Sequence, residues 1–179
     1  MNEIFKKDYY RMLGEEMPGG IGKWLNIFGR HNLRYMYFFR MAQRKPSLLT
    51  RVILLRMSRK FGLEISTAAQ IGPGFYLGHP YNITVAEGSV LGRNVNIHKG
   101  VTIGRENRGK RIGAPVIGDN VYLGINATVV GNVHIGNDVM IASNAFVNFD
   151  VPDHSVVLGN PGVVCAKADA THSYINFRV

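Results

Sequence analysis

Six histidines, one cysteine and a short basic run are the residues of this 179-residue chain best equipped to do chemistry. An imidazole titrates near pH 6.5 in general, so a histidine is able to take a proton from a hydroxyl at neutral pH. His79 lies in Gly78-His79-Pro80-Tyr81-Asn82-Ile83-Thr84-Val85, and His98 in Asn96-Ile97-His98-Lys99-Gly100-Val101-Thr102-Ile103-Gly104. His31, His134, His154 and His172 fall in the leader, before a strand, in a turn and in the tail, and read as structural or exposed. A zinc hydrolase or hydratase site needs several converging ligands. The loop and strands offer no close histidine pair, so no metal is expected. The single Cys165 excludes an internal disulfide, suits a reducing compartment and reads as a small buried or incidental residue. Arg105, Arg108, Lys110 and Arg111 stand against one Glu106. That run suits phosphates or an acidic saccharide, unless it is only a solvated loop.

These residues sit in a regular frame. Ile, Leu or Val recurs at every sixth position through Ile65, Ile71, Leu77 and Ile83, then Leu91, Ile97 and Ile103, then Ile117, Leu123, Val129, Ile135, Ile141 and Val147. Glycine or another small residue usually follows. A period of six fits neither a helix nor a hairpin sheet, and predicts a parallel β-helix whose aliphatics stack inside. With three strands per turn the coils are 65/71/77, 83/91/97, 103/117/123 and 129/135/141, with Val147 opening a partial one. Two extra residues between Ile83 and Leu91, and eight between Ile103 and Ile117, place both breaks at one corner of the prism. The second makes residues 105–115 a protruding loop, on the side where solenoids usually carry function. Three regions result: a helical leader over 1–62, the β-helix over 63–150, and a turn with an irregular tail over 151–179.

The leader predicts two helices, 30–44 and 47–60, parted at Pro46, while 1–29 is mixed and Pro18-Gly19-Gly20 ends any helix begun in 3–16. The net charge of +9 is concentrated here: residues 30–60 hold nine Lys and Arg and no acid, leaving 12 of each sign elsewhere. Two uses stay open for this basic, aromatic-rich pair. It packs on the first coil or a neighbouring subunit, or it lies peripherally on an anionic membrane. Nucleic acid is not expected, because no recognised motif accompanies the charge. No apolar run reaches 18 residues and MNEIFKKDYYR lacks a signal core, so the expected location is cytoplasmic, with the inner membrane face as its one alternative.

The two histidine blocks, with Gly159-Asn160-Pro161 closing the coils, resemble the hexapeptide-repeat acyltransferases, and within them the serine acetyltransferase branch, over about 63–167. The resemblance implies an all-β solenoid, a left-handed parallel β-helix with an N-terminal α-helical extension. Handedness comes from it alone, since ordinary crossovers are right-handed. It also implies acetyl-CoA as donor, a homotrimer binding it between subunits, and direct transfer to a hydroxyl with no acyl-enzyme. His79 matches the family's catalytic histidine. His98, on the same prism face as Leu77, is a second candidate, to orient His79 or touch the acceptor. The family pattern puts Gly104, Gly124 and Ala142 along the pantetheine arm and Lys167 near a phosphate. Asn82, Arg105, Arg108 and Arg111 are candidate acceptor contacts. The basic leader resembles that of short members found with surface-polysaccharide synthesis.

Two departures bear on the acceptor. The branch has Asp before its catalytic histidine and Arg-His-Pro in the loop, where this chain has Gly78 and Gly113-Ala114-Pro115. A zwitterionic amino acid needs opposite charges held close, because an unpaired charge in a closed site is costly. The expected acceptor is therefore a sugar hydroxyl in surface-polysaccharide biosynthesis, with serine as the alternative. A zinc enzyme of the γ-carbonic anhydrase type and a non-catalytic scaffold are more remote readings.

Overall fold

The computed structural model describes residues 3–179; Met1 and Asn2, which begin the leader, lie outside the described residues. Four helices precede the strands: α1 (Glu3–Leu13), α2 (Gly20–Gly29), α3 (His31–Arg44) and α4 (Leu48–Phe61). The second and last helices differ in how much the sequence betrays them. Helix α4 opens on a reciprocal cap, in which Ser47 Oγ accepts the Thr50 N–H and Thr50 Oγ1 accepts the Ser47 N–H, both at 3.2 Å. It closes on Gly62 in the left-handed region, φ 67°. Helix α2 lies within a stretch read as mixed, because three glycines in ten residues weaken intrinsic helicity. Tertiary packing overrides them: Ile27 is fully buried and Trp24 meets the ring of Tyr37 edge-on at 5.7 Å.

From Leu63 the chain winds into a three-faced parallel β-solenoid, consistent with the left-handed β-helix that the resemblance implies. The first face stacks Leu63–Ile65, Ile83–Val85, Thr102–Gly104, Thr128–Val130 and Phe146–Val147. The second stacks Gln70–Ile71, Val90–Leu91, Val116–Ile117 and His134–Ile135. The third stacks Tyr76–Gly78, Asn96–His98, Tyr122–Leu123, Val139–Ile141 and Ser155–Leu158. The hexad aliphatics point inward, and Leu77, Ile97, Ile103, Leu123, Val129, Ile135 and Ile141 are all fully buried.

Register corrects the expected frame at one coil. Ile83 pairs with Leu63, and it is Val85 that stacks between Ile65 and Ile103. Ile83 and Val85 are two apart and both face inward, so periodicity alone does not say which belongs to the column. The two extra residues therefore fall before Ile83, in the turn that carries His79, and not after it. The two breaks lie at different corners: the first joins the third face to the first, and the long loop joins the first face to the second.

Two of the corners are built from left-handed residues stacked in columns. At the corner holding the short break these are Gly62, Asn82, Gly100, Asn126 and Asn144; at the corner between the second and third faces they are Gly74, Asn94, Asn120, Asp138 and His154. Asparagine adopts this conformation more readily than most residues and hydrogen-bonds locally. Here successive amides also bond up the column, Asn94 to Asn120 at 3.2 Å and Asn126 to Asn144 at 3.3 Å.

A buried ion pair joins the leader to the first coil. Arg40 Nε donates to Asp8 Oδ2 at 2.8 Å, and its Nη1 and Nη2 donate to the carbonyls of Ile71 and Gly72 at 2.7 Å. Asp8 Oδ1 accepts the Phe75 N–H at 2.9 Å. Burial pushes the Asp8 carboxyl up, opposed by Arg40 and by the backbone donors.

The last segment is more ordered than the irregular tail expected for it. Ser155–Leu158 continues the third face, and Val163–Ala166 returns antiparallel along it, leaving Cys165 exposed and not buried. The chain then runs back over the outside of the third face, where Tyr174 O accepts from Asn96 Nδ2 and the Val179 N–H reaches Asn94 Oδ1. Buried Ile175 and Thr171 pin this return, which no periodic signal marks. Among the described residues no helix is long and apolar enough to cross a membrane.

Candidate active site

His79 stands in the turn made by the short break, between Tyr76–Gly78 and Ile83–Val85. Its backbone is left-handed, φ 48°, and its side chain is exposed. The two surplus residues fall in this turn, and the exposed imidazole is not packed within the prism.

His98 is directly over this turn, because Gly78 and His98 are register partners on the third face. The pair fits only because residue 78 lacks a side chain: a Cβ there would lie 2.4 Å from His98 Nδ1. The imidazole thus fills the space in which the family's aspartate would begin. Tyr122 and Tyr76 flank it, with ring centroids at 4.9 and 6.1 Å. Burial, and the nearby His79, hold the His98 pKa below the ordinary imidazole value, so the ring is neutral at neutral pH. His98 Nε2 is buried with no partner. A test follows from the geometry. Gly78→Ala should cost about 1–3 kcal/mol in chemical denaturation through overpacking, and most of that cost should vanish in a His98→Ala background.

The other candidates are dispersed. Asn82 shares the His79 turn, but the corner column explains it: its N–H donates to Phe61 O at 2.9 Å and its amide oxygen lies against Gly62. Gly124 and Ala142 continue the column above His98, since Ile97 pairs with Leu123 and Leu123 with Ile141. Gly124 also has a packing reason, because a Cβ would lie 2.7 Å from Ser143 N. Gly104 ends a strand of the first face beside Val130, at the corner of the long loop and apart from that column. Lys167 is exposed at the opposite edge of the third face, its N–H donating to His154 O at 2.7 Å. Arg105, Arg108 and Arg111 are exposed on the loop, which an antiparallel bridge between Glu106 and Gly113 closes at its base. Within the chain the structure therefore brings His79, His98, Asn82, Gly124 and Ala142 to one corner, and places Gly104, Lys167 and the basic loop elsewhere. Arg11, Tyr122 and Tyr174, near His98, were not singled out. Only Tyr122 had a signal, as an outward position beside the hexad residue Leu123. Among the described residues no group of three His, Cys, Asp or Glu is placed to hold a metal ion.

Residues 114–148 match the family model described as bacterial transferase hexapeptide (six repeats). The chain is 39% identical over 140 residues to serine acetyltransferase 2 of Arabidopsis thaliana, covering 76% of this chain and 43% of that protein. The crystal structure of Neisseria gonorrhoeae serine acetyltransferase in complex with serine superposes with a TM-score of 0.72 at 31% identity, covering 92% of this chain and 67% of that one. The chain belongs to the hexapeptide-repeat acyltransferases of the serine acetyltransferase type. A serine acetyltransferase solved in complex with CoA is also similar, with a TM-score of 0.66 at 26% identity over 76% of this chain and 57% of that one. The chain spans less than half the length of the Arabidopsis relative.

This membership corrects the sugar acceptor expected from the two missing charges. The relatives are named for serine, and none of these findings supports a polysaccharide acceptor or a polysaccharide-type leader. The expectation rested on two missing charged features, at Gly78 and at Gly113-Ala114-Pro115. In this chain His98 occupies the space a side chain at position 78 would enter, so the absence of an aspartate there is a weak guide to the acceptor.

Proposed function

We propose that this protein is an acetyl-CoA-dependent serine O-acetyltransferase, with His79 as general base. The observation that carries the reading is an exposed imidazole on an inserted turn, in a chain similar to serine acetyltransferases. When bound, acetyl-CoA supplies an acetyl group already activated as a thioester. His79 takes the proton from the serine hydroxyl as that oxygen attacks, and returns it to the departing sulfur, so no nucleophilic side chain is consumed. Cys165, on the outer antiparallel strand, has no part in this scheme. His98 stacks over Gly78 beside this turn, its pKa held below the ordinary imidazole value by burial. The exposed Arg105, Arg108, Lys110 and Arg111 suit the phosphates of coenzyme A. Because they sit at a different corner from His79, we read the crevice as formed between two copies of the trimer, one giving the histidine and the other the loop.

The acceptor is tested by incubating purified protein with acetyl-CoA and L-serine and following free thiol together with O-acetylserine. Both should rise with serine concentration. Thiol release equal to that in the serine-free control would overturn the assignment.

A further inference from the structure

Two arginines of the leader are equally buried, each 2% exposed, but only one is neutralised. Arg40 has Asp8 and two carbonyls. Arg11, in the last turn of α1, has a single hydrogen bond among the described residues, from Nη2 to Asn96 Oδ1, and lies over the ring of Tyr76 at 5.5 Å. Its Nε is buried with no partner. Burial lowers its pKa to about 10, opposed by the nearby Tyr76 and reinforced by the like charge of Arg178. A lone buried cation is strongly disfavoured unless something answers its charge.

A cavity of about 300 Å³ opens beside it, between α1, the third face and the returning tail. Arg11, Tyr76, Asn96, His98, Tyr122 and Tyr174 line it, and none of the lining residues is acidic. His98, whose buried Nε2 has no partner, also lines the cavity. The walls are thus rich in donors: a guanidinium edge, an imidazole nitrogen and tyrosine hydroxyls. We propose that this cavity binds a small oxyanion, a carboxylate or a phosphate, anchored by the Arg11 guanidinium. The fork of N–H groups matches two oxygens of either group. The volume lies at the lower end for ligand pockets and suits a group of that size rather than a nucleotide. The site does not depend on which acceptor the enzyme uses.

The test uses the full chain without acetyl-CoA, titrated separately with sodium acetate and sodium phosphate against sodium chloride at equal ionic strength. Thermal denaturation and calorimetry are read together. At least one anion should raise the wild-type Tm saturably, by about 5–10 °C at a hundredfold excess over its Kd. A response to acetate alone assigns a carboxylate site, to phosphate alone a phosphate site, and to both a general oxyanion site. Arg11→Met should lose the response, and in chloride should melt no lower than wild type, because a lone buried charge has gone. Arg11→Lys keeps the charge without the fork and should bind at least about tenfold more weakly. No saturable response in the wild type overturns the proposal, as does an equal response in Arg11→Met. Should Arg11→Met fail to fold, unchanged affinity in Arg11→Lys overturns it.

Discussion

Replacing His79 with alanine should lower acetyl transfer by about 10²–10⁴-fold while leaving the fold and CoA binding in place. The imidazole is exposed, and among the described residues its side chain makes no hydrogen bond that the fold would miss. Backbone strain needs separate control, because φ is 48° at this position and alanine pays about 1–2 kcal/mol in that region. His79→Asn serves for this, since asparagine tolerates the conformation and offers no base. Steady-state rates for both variants, with CoA affinity measured by calorimetry, make the check. Equal losses in the two assign the effect to proton transfer. Retention of most of the turnover in His79→Asn would remove His79 as the base.

The largest stability effect should come from a residue far from the chemistry. Arg40→Met leaves Asp8 buried with backbone donors but no cation, and leaves the carbonyls of Ile71 and Gly72 without their donor. Breaking a buried pair from one side costs about 3–5 kcal/mol, which urea denaturation would read as a lowered midpoint. The pH dependence has a definite sign. Burial already raises the Asp8 pKa, and removing Arg40 raises it further, so the abandoned carboxylate takes up a proton as pH falls. The deficit should therefore be greater at pH 8 than at pH 5. Asp8→Asn together with Arg40→Met should recover part of the loss, because no lone charge then remains.

The solenoid was legible because its cause is periodic. Each inward aliphatic from Ile97 to Val147 occupies its expected place, since one residue in six must point into the prism whatever lies outside it. The frame failed where two aliphatics stood two apart: Ile83 and Val85 both face inward, and only pairing with Leu63 and Ile65 decides between them. That ambiguity hid the location of the short break, and with it the turn that carries His79. Helix α4 was readable because Pro46 marks where it must begin, whereas α2 depends on Trp24 and Ile27 packing that no local pattern encodes. The partnership of Gly78 with His98 is a contact across twenty residues, so position 78 alone looked like a lost charge when it is also a vacated volume. The chamber around Arg11 was illegible for the same reason. It joins the first helix, the third face and the last residues of the chain, which become neighbours only on folding.

The most direct measurement is a crystal structure of the protein with CoA and L-serine bound. The expected result is a serine hydroxyl within hydrogen-bond reach of the His79 imidazole and the CoA thiol beside it, in a crevice bordered by a second copy of the chain. Serine and thiol both seated away from the His79 turn would contradict the assignment.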